Sequence, residues 1–123
     1  MPDSWTYAPV YLQIMRRVKL DIVSGAWQPG ERIPPVRELA LEYQVNPNTI
    51  QRALAELERE NLLYTERTAG RFVTEDGQRI TELRREMAEG VLQGAFRQLS
   101  YMGFGEEEIR RLLHEWQPVQ KAD

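Results

Sequence analysis

Residues 36–60 read VRELALEYQVNPNTIQRALAELERE, and this stretch decides the fold. Apolar residues recur in it at helical spacing, which predicts a short helix over Val36–Tyr43 and a longer one over Pro47–Glu60. The short connection between them ends in Asn46, a favourable N-cap, and Pro47 suits the first position of a helix because its missing N–H costs little there. The pattern therefore predicts a helix-turn-helix.

The flanking sequence supplies the remaining elements of a small domain. Upstream, apolar positions within residues 7–24 recur every four residues and predict a first helix, which Gly25 can end. Downstream, Leu62–Glu66 and Arg71–Thr74 alternate as strands around a turn, which predicts a β-hairpin. Two further helices are predicted, one from Ile80 to about Met102 and one beginning at Glu106.

These elements define the predicted fold class, which is mainly α with a small β-hairpin. The architecture is a winged helix-turn-helix followed by a two-helix C-terminal tail, whose predicted role in dimerisation is argued from its apolar residues below. Residues 75–78 read Glu-Asp-Gly-Gln and are the best candidate for a joint. We therefore predict a DNA-binding domain over residues 1–75 and a helical tail over residues 76–123.

Composition excludes several classes of function. The 123 residues contain no cysteine, so disulfides, thiolate chemistry and sulfur-ligated metals are not expected. The single histidine, His114, has no second histidine or cysteine to complete a metal site, and no phosphate loop or nucleophile motif is present. We predict a cytoplasmic protein that does not span a membrane, is not an enzyme and binds no cofactor or metal.

The charge distribution limits the interpretation. The net charge of −3 is unfavourable for nucleic-acid binding by charge alone. Residues 1–74 carry nine basic and nine acidic side chains, whereas residues 75–123 carry seven and ten. The acidity thus belongs mainly to the tail, and the predicted DNA-binding part is neutral.

The outward side of the Pro47–Glu60 helix carries Asn48, Gln51 and Arg52. A major groove admits an α-helix, and its base edges are read by amides and guanidinium groups, so these three side chains are candidates for base contacts. The alternative is that they are ordinary solvated positions. The hairpin that follows adds Arg67 and Arg71, which are suited to the DNA backbone or the adjacent minor groove.

Arg37 lies early in the shorter helix and is a candidate phosphate ligand. Its structural alternative is an ion pair with an acidic side chain one helical turn away.

A long ordered series of residues resembles the GntR superfamily of bacterial regulators, and within it the short-tailed YtrA-like subfamily. The similarity extends over nearly the whole chain. The residues on which the similarity rests are residues 9–14, Ser24-Gly25, Pro29-Gly30-Glu31-Arg32-Ile33-Pro34, Val36-Arg37-Glu38-Leu39-Ala40, residues 45–53 and Glu56-Leu57-Glu58-Arg59-Glu60-Asn61-Leu62.

The resemblance implies a function and a set of contacts. It implies a homodimer that binds double-stranded DNA at a palindromic operator and represses a nearby operon, often for a membrane transporter. It also implies DNA contacts at Arg37, at the start of the recognition helix and at the wing tip, which in this sequence are Arg37, Asn46, Asn48, Thr49, Gln51 and Gly70.

The tail independently predicts dimerisation. Two helices with large apolar side chains on one side cannot bury them within so small an annex, so a second copy of the chain is the expected partner. The alternative is a tail folded back on its own winged domain. The candidate interface residues are Leu83, Met87, Val91, Leu112, Leu113 and Trp116.

Two other interpretations stay open. The negative net charge favours a winged-helix module that docks on protein instead of DNA. The aromatic residues are candidates for a small-molecule effector site, although core packing is their more common role. They are Trp5, Tyr7, Tyr11, Trp27 and Tyr64.

Overall fold

The computed structural model describes residues 8–119, which form five helices and one antiparallel hairpin. The observed elements confirm the predicted fold class. Within this range no helix combines the length and the apolar character that a membrane span requires. In chain order the elements are α1 (Val10–Ser24), α2 (Val36–Tyr43), α3 (Pro47–Arg59), β1 (Leu63–Glu66), β2 (Gly70–Val73), α4 (Gly77–Tyr101) and α5 (Glu106–Glu115).

Helix α3 packs against both α1 and α2. Its apolar positions lie three and four residues apart, so they share the face that meets the other two helices. Val10, which the sequence pattern placed on the same stripe of α1, is instead exposed at the first residue of that helix. The buried core residues of the three helices are Ile14, Met15, Val18, Ile22, Leu39, Ala40, Ile50, Ala53, Leu54 and Leu57.

The connection between α2 and α3 has the predicted geometry. Gln44 adopts a left-handed conformation that ends α2, and the Val45 N–H donates to the Ala40 carbonyl at 3.0 Å. Asn46 then accepts a hydrogen bond from the Asn48 N–H at 2.8 Å through its side-chain oxygen, and Pro47 is the first helical residue. The predicted N-cap and the predicted helix-turn-helix are therefore confirmed.

The hairpin pairs β1 with β2 through the register Leu63 to Val73 and Glu66 to Gly70. Gly70 belongs to the second strand, so the tip is one residue shorter than the sequence pattern indicated. The segment around Arg32 also pairs with β2, because the Ile33 N–H donates to the Arg71 carbonyl at 2.9 Å. Strand β2 thus pairs both with β1 and with the chain that leads into α2.

The described residues divide into two compact units, 8–86 and 87–119. The first turns of α4 belong to the earlier unit, where Ile80 and Leu83 are buried. Arg79 donates to the Glu60 carbonyl at 2.8 Å and Arg84 to the Val23 carbonyl at 2.9 Å. These cations satisfy carbonyls at the ends of α3 and α1, where the helix dipole favours positive charge. The first turns of α4 therefore belong to the first compact unit, and the domain boundary after residue 75 stays a prediction.

The second unit comprises the rest of α4 and α5. Gly103 adopts a left-handed conformation that ends α4, and the Gly105 N–H donates to the Glu108 carboxylate at 3.0 Å where α5 begins. Helix α5 starts at Glu106, as predicted. Ile109 is buried, but most of the large apolar side chains of this unit are exposed.

Candidate nucleic-acid interface

Helix α3 presents Asn48, Gln51 and Arg52 to solvent, because its core positions fill the opposite side. Ala55 lies on the same outward side, two turns after the start of the helix, and its small side chain is exposed. The surface therefore has polar side chains that can reach a base edge and no bulky apolar residue that would keep a duplex away.

Two predicted contact residues at the start of α3 have structural roles in the free protein. Asn46 uses its side-chain oxygen as the helix cap, which leaves its amide NH2 group available to an outside acceptor. Thr49 is half-buried, and its N–H donates to the Asn46 carbonyl at 2.9 Å. Their polar atoms lie at the positive end of the helix, which favours an anionic ligand such as a phosphate.

Arg37 and Arg67 are exposed and have no hydrogen-bond or ion-pair partner among residues 8–119. The intrahelical ion pair considered for Arg37 is therefore not formed. Arg37 lies in the first turn of α2, and Arg67 is at the tip of the wing. Both guanidinium groups are available to bind phosphate.

Arg71 is not available in the same way. Its Nε atom donates to the Glu58 carboxylate at 3.0 Å and its Nη1 atom to the Gln51 side-chain oxygen at 3.4 Å. Only 22% of its side chain is exposed. The wing arginine expected to contact DNA is instead bonded to two side chains of α3.

Glu58 is held in turn by the wing. Its carboxylate also accepts a hydrogen bond from the Thr65 hydroxyl on β1. Burial by itself raises the pKa of Glu58, but the hydrogen bonds from Thr65 and Arg71 and the charge of Arg71 together lower it below the ordinary value. Glu58 therefore stabilises the fold at neutral pH, and this contribution is lost as the pH falls through its folded pKa.

Arg52 is positioned by the first helix. Its guanidinium carbon lies 3.8 Å from the centre of the Tyr11 ring, which is a cation–π contact between α3 and α1. A guanidinium stacked on a ring keeps its N–H groups at the edge, where they can still donate to guanine. The ring thus restricts Arg52 without occupying its donors.

Gly70 is required by the backbone of the wing. Its φ of +112° is rarely adopted by other residues, and a Cβ there would lie 2.9 Å from the Nε atom of Arg32. Arg32 is an exposed cation that the sequence analysis did not select. An open cleft of about 270 Å³ separates these residues from the start of α2, and Gln51 lines it as well.

Replacing Gly70 with alanine is expected to lower the free energy of unfolding by about 1–3 kcal/mol, because the backbone conformation becomes strained. Chemical denaturation measures this loss. Gly77→Ala is the matched control, since nothing lies within 4 Å of a Cβ at that first residue of α4 and its φ is not positive. Equal stability of the two variants would contradict the prediction.

The other candidate sites receive less support from the structure. Tyr64 stacks on Phe72 with ring centres 5.5 Å apart, and Tyr11 is engaged by Arg52, so two of the five aromatic residues pack with neighbours. Trp5 and Tyr7 lie outside the described residues. His114 is exposed on α5, and residues 8–119 contain no group of three or more side chains that could hold a metal ion.

Comparison with known proteins identifies the family. The model of the bacterial regulatory proteins of the gntR family matches residues 10–73, which span α1 through β2. The chain is 34% identical to the HTH-type transcriptional repressor YtrA of Bacillus subtilis (strain 168), over 98% of this chain and 91% of that protein. The predicted resemblance is therefore confirmed over nearly the full length.

Solved structures agree with this assignment. A GntR family transcriptional regulator from Listeria monocytogenes superposes with a TM-score of 0.79 at 36% identity, covering 95% of this chain and all of that one. The DNA-binding domain of AraR in complex with operator ORR3 superposes with a TM-score of 0.52 at 32% identity, covering 54% of this chain and 80% of that one. The chain belongs to the GntR family of bacterial regulatory proteins and is a DNA-binding transcription regulator, not an enzyme.

Proposed function

We propose that this regulator is a homodimeric repressor that binds a palindromic operator through two copies of α3. The observation that carries the proposal is the exposed polar side of α3, which in the chain follows the exposed Arg37 of α2 and precedes the wing. The relative YtrA is named a repressor, and AraR was solved on an operator, which supports the same role here. A bacterial regulator that binds chromosomal DNA acts in the cytoplasm, and we propose this location for the protein.

Each contact residue has a proposed role. Asn48, Gln51 and Arg52 read base edges in the major groove, because amides pair with adenine and guanidinium groups with guanine. Arg37 and Arg67 bind phosphates and set the orientation of the domain without reading sequence. The backbone near Gly70 and the cap at Asn46 and Thr49 add polar contacts that the resemblance implies.

The second unit supplies the proposed dimer interface. Val91, Leu112, Leu113 and Trp116 are each at least 40% exposed, and Met87 is half-buried. Leu83 is only 1% exposed in the single chain, so its side chain is buried without a partner, and we remove it from the interface. Burying apolar side chains of this size contributes about 1.5–3 kcal/mol each when the burial is complete, which is ample for a stable dimer.

The resemblance suggests the regulated genes. Regulators of this type often control a neighbouring operon for a membrane transporter, and we propose the same for this protein. Bound at an operator that overlaps a promoter, the dimer would exclude RNA polymerase. Footprinting on the region upstream of its own gene tests this proposal, and protection of that region is expected.

Arg37→Ala is the decisive test of the DNA-binding geometry. We expect affinity to fall roughly tenfold or more on every sequence, since a hydrogen bond between charged groups is worth about 1.5–3 kcal/mol. The slope of log affinity against log salt should become shallower by about one. Titration by fluorescence anisotropy at several salt concentrations measures both quantities.

Arg97→Ala is the matched control, because it removes the same charge from an exposed position of α4 in the second unit. It should leave affinity and salt slope nearly unchanged. If Arg37→Ala behaved like this control, the proposed phosphate contact would be wrong. If the unmodified protein bound no duplex DNA at low salt, the alternative of a protein-docking module would be favoured.

A further inference from the structure

Three side chains form a connected series between the wing and the recognition helix. Glu58 and Gln51 lie seven residues apart on α3, so both project from the same side two turns apart. Arg71 of β2 lies between them and donates to each, at 3.0 Å to the Glu58 carboxylate and at 3.4 Å to the Gln51 oxygen. Thr65 of β1 holds the same carboxylate from the other strand.

The chemistry of this series favours one direction of the Gln51 amide. A guanidinium group has only donors, so Gln51 must turn its oxygen toward Arg71 and its NH2 group away. Without such a partner, the two orientations of a solvated amide differ little in energy. Glu58 holds the guanidinium group through a charge-assisted hydrogen bond, which is stronger than the longer contact to Gln51.

An amide reads adenine with both of its ends, because its oxygen accepts from N6 and its NH2 group donates to N7. The reversed amide would oppose donor to donor and acceptor to acceptor. The Gln51 oxygen has two lone pairs, so it can accept from Arg71 and from a base at the same time. Because Arg71 orients the Gln51 amide before DNA binds, the amide favours one order of donor and acceptor on the base edge over the reversed order.

We infer that Arg71 is a positioning residue that orients Gln51 through the Glu58 anchor, and thereby sets base preference instead of binding the DNA backbone. This inference rests on the proposed function, in which Gln51 contacts a base. It assigns Glu58 and Thr65, which sequence reasoning did not select, to the control of specificity. It also gives the largely covered Arg71 a role in recognition that needs no direct contact with DNA.

Arg71→Lys separates positioning from direct binding. Lysine keeps the positive charge needed by a phosphate ligand, but its single ammonium group lacks the planar fork that bridges Glu58 and Gln51. We expect affinity for the preferred duplex to change little, while discrimination at one base position of each half-site falls about fivefold or more, as for loss of a bidentate amide contact.

Glu58→Gln tests the anchor. The variant removes the charge that holds Arg71, so the guanidinium group is held less tightly and, under the proposed function, can move toward the DNA. We expect discrimination to fall at the same base position as in Arg71→Lys. If Arg71 instead bound phosphate directly, Glu58→Gln would raise affinity on every sequence and leave discrimination unchanged.

The experiment starts by selecting a preferred duplex from a randomised library with the unmodified full-length protein. Each variant is then titrated against that duplex and against all single-base changes in one half-site. Gln51→Ala identifies the base position that Gln51 reads. Circular dichroism and denaturation confirm that each variant is folded, and Arg71→Ala is included as the complete removal of the side chain.

The outcomes are distinct. Loss of discrimination at the Gln51 position in Arg71→Lys and Glu58→Gln supports the inference. If Gln51→Ala changes that position but the other variants do not, the positioning role is overturned while the proposed function stands. If Gln51→Ala changes no position, or if no duplex is selected, the proposed contact fails and the inference fails with it.

Discussion

We expect Leu113→Glu to convert the proposed dimer to a monomer and to lower affinity for the proposed palindromic operator by about 100-fold or more. Leu113 is 51% exposed on α5, so the substitution does not disrupt the core of the chain. In a two-fold interface each substitution occurs twice, and two carboxylates then replace two apolar side chains in a desolvated surface. The proposed interface cannot accommodate them.

The effect on DNA follows from the loss of bivalency. Two linked recognition helices bind two half-sites with an effective concentration that raises affinity by about 10²–10⁴-fold over one helix. A monomer loses this advantage but keeps the same α3 surface. It should therefore bind a single half-site as well as before, which distinguishes loss of dimerisation from loss of folding.

Light scattering coupled to size-exclusion chromatography measures the oligomeric state, and mobility shifts on full and half operators measure binding. Gln93→Glu is the matched control, because it adds one negative charge at an exposed position of α4 in the same unit. It should stay dimeric. A Leu113→Glu protein that also remained a dimer would place the interface elsewhere.

Leu57→Ala is expected to lower the free energy of unfolding by about 2–5 kcal/mol. Leu57 is fully buried on α3, the helix that packs against both α1 and α2. Removing its side chain leaves a cavity among residues that cannot all move to fill it. Because the same helix carries the proposed base-reading surface, DNA binding should weaken at temperatures where the variant is partly unfolded.

Denaturation at fixed protein concentration measures the change, since the stability of the proposed dimer would depend on concentration. Arg59→Ala is the control on the same helix: its side chain is 77% exposed and makes a surface ion pair with Glu56. Exposed pairs contribute about 0–1 kcal/mol, so this variant should stay close to the parent. Equal losses in the two variants would contradict the assigned position of Leu57 in the core.

The sequence left open whether the partner of this regulator is DNA or another protein. Family membership supports DNA as the partner and disfavours a protein-docking module, although the net charge is negative. The explanation lies in local placement, because Arg37 and Arg67 are exposed while Arg71 and Arg79 are paired with acidic side chains. Net charge alone does not distinguish available cations from paired ones.

The sequence by itself determined the elements and their order. Helical spacing of apolar residues identified α2 and α3, and the cap formed by Asn46 was evident because a cap depends on residues two or three positions apart. The same local logic placed Ile50, Leu54 and Leu57 in the core and Asn48, Gln51 and Arg52 outside it.

Only the tertiary structure decided which of the cations predicted to contact DNA have partners within the protein. Arg71 is bonded to Glu58 and Gln51, which lie 13 and 20 residues away in the chain, and Arg52 is stacked on Tyr11 of a different helix. Leu83 is buried, although its spacing suited a dimer interface. Periodicity shows which side of a helix a residue occupies, but the partner on that side depends on how distant segments pack.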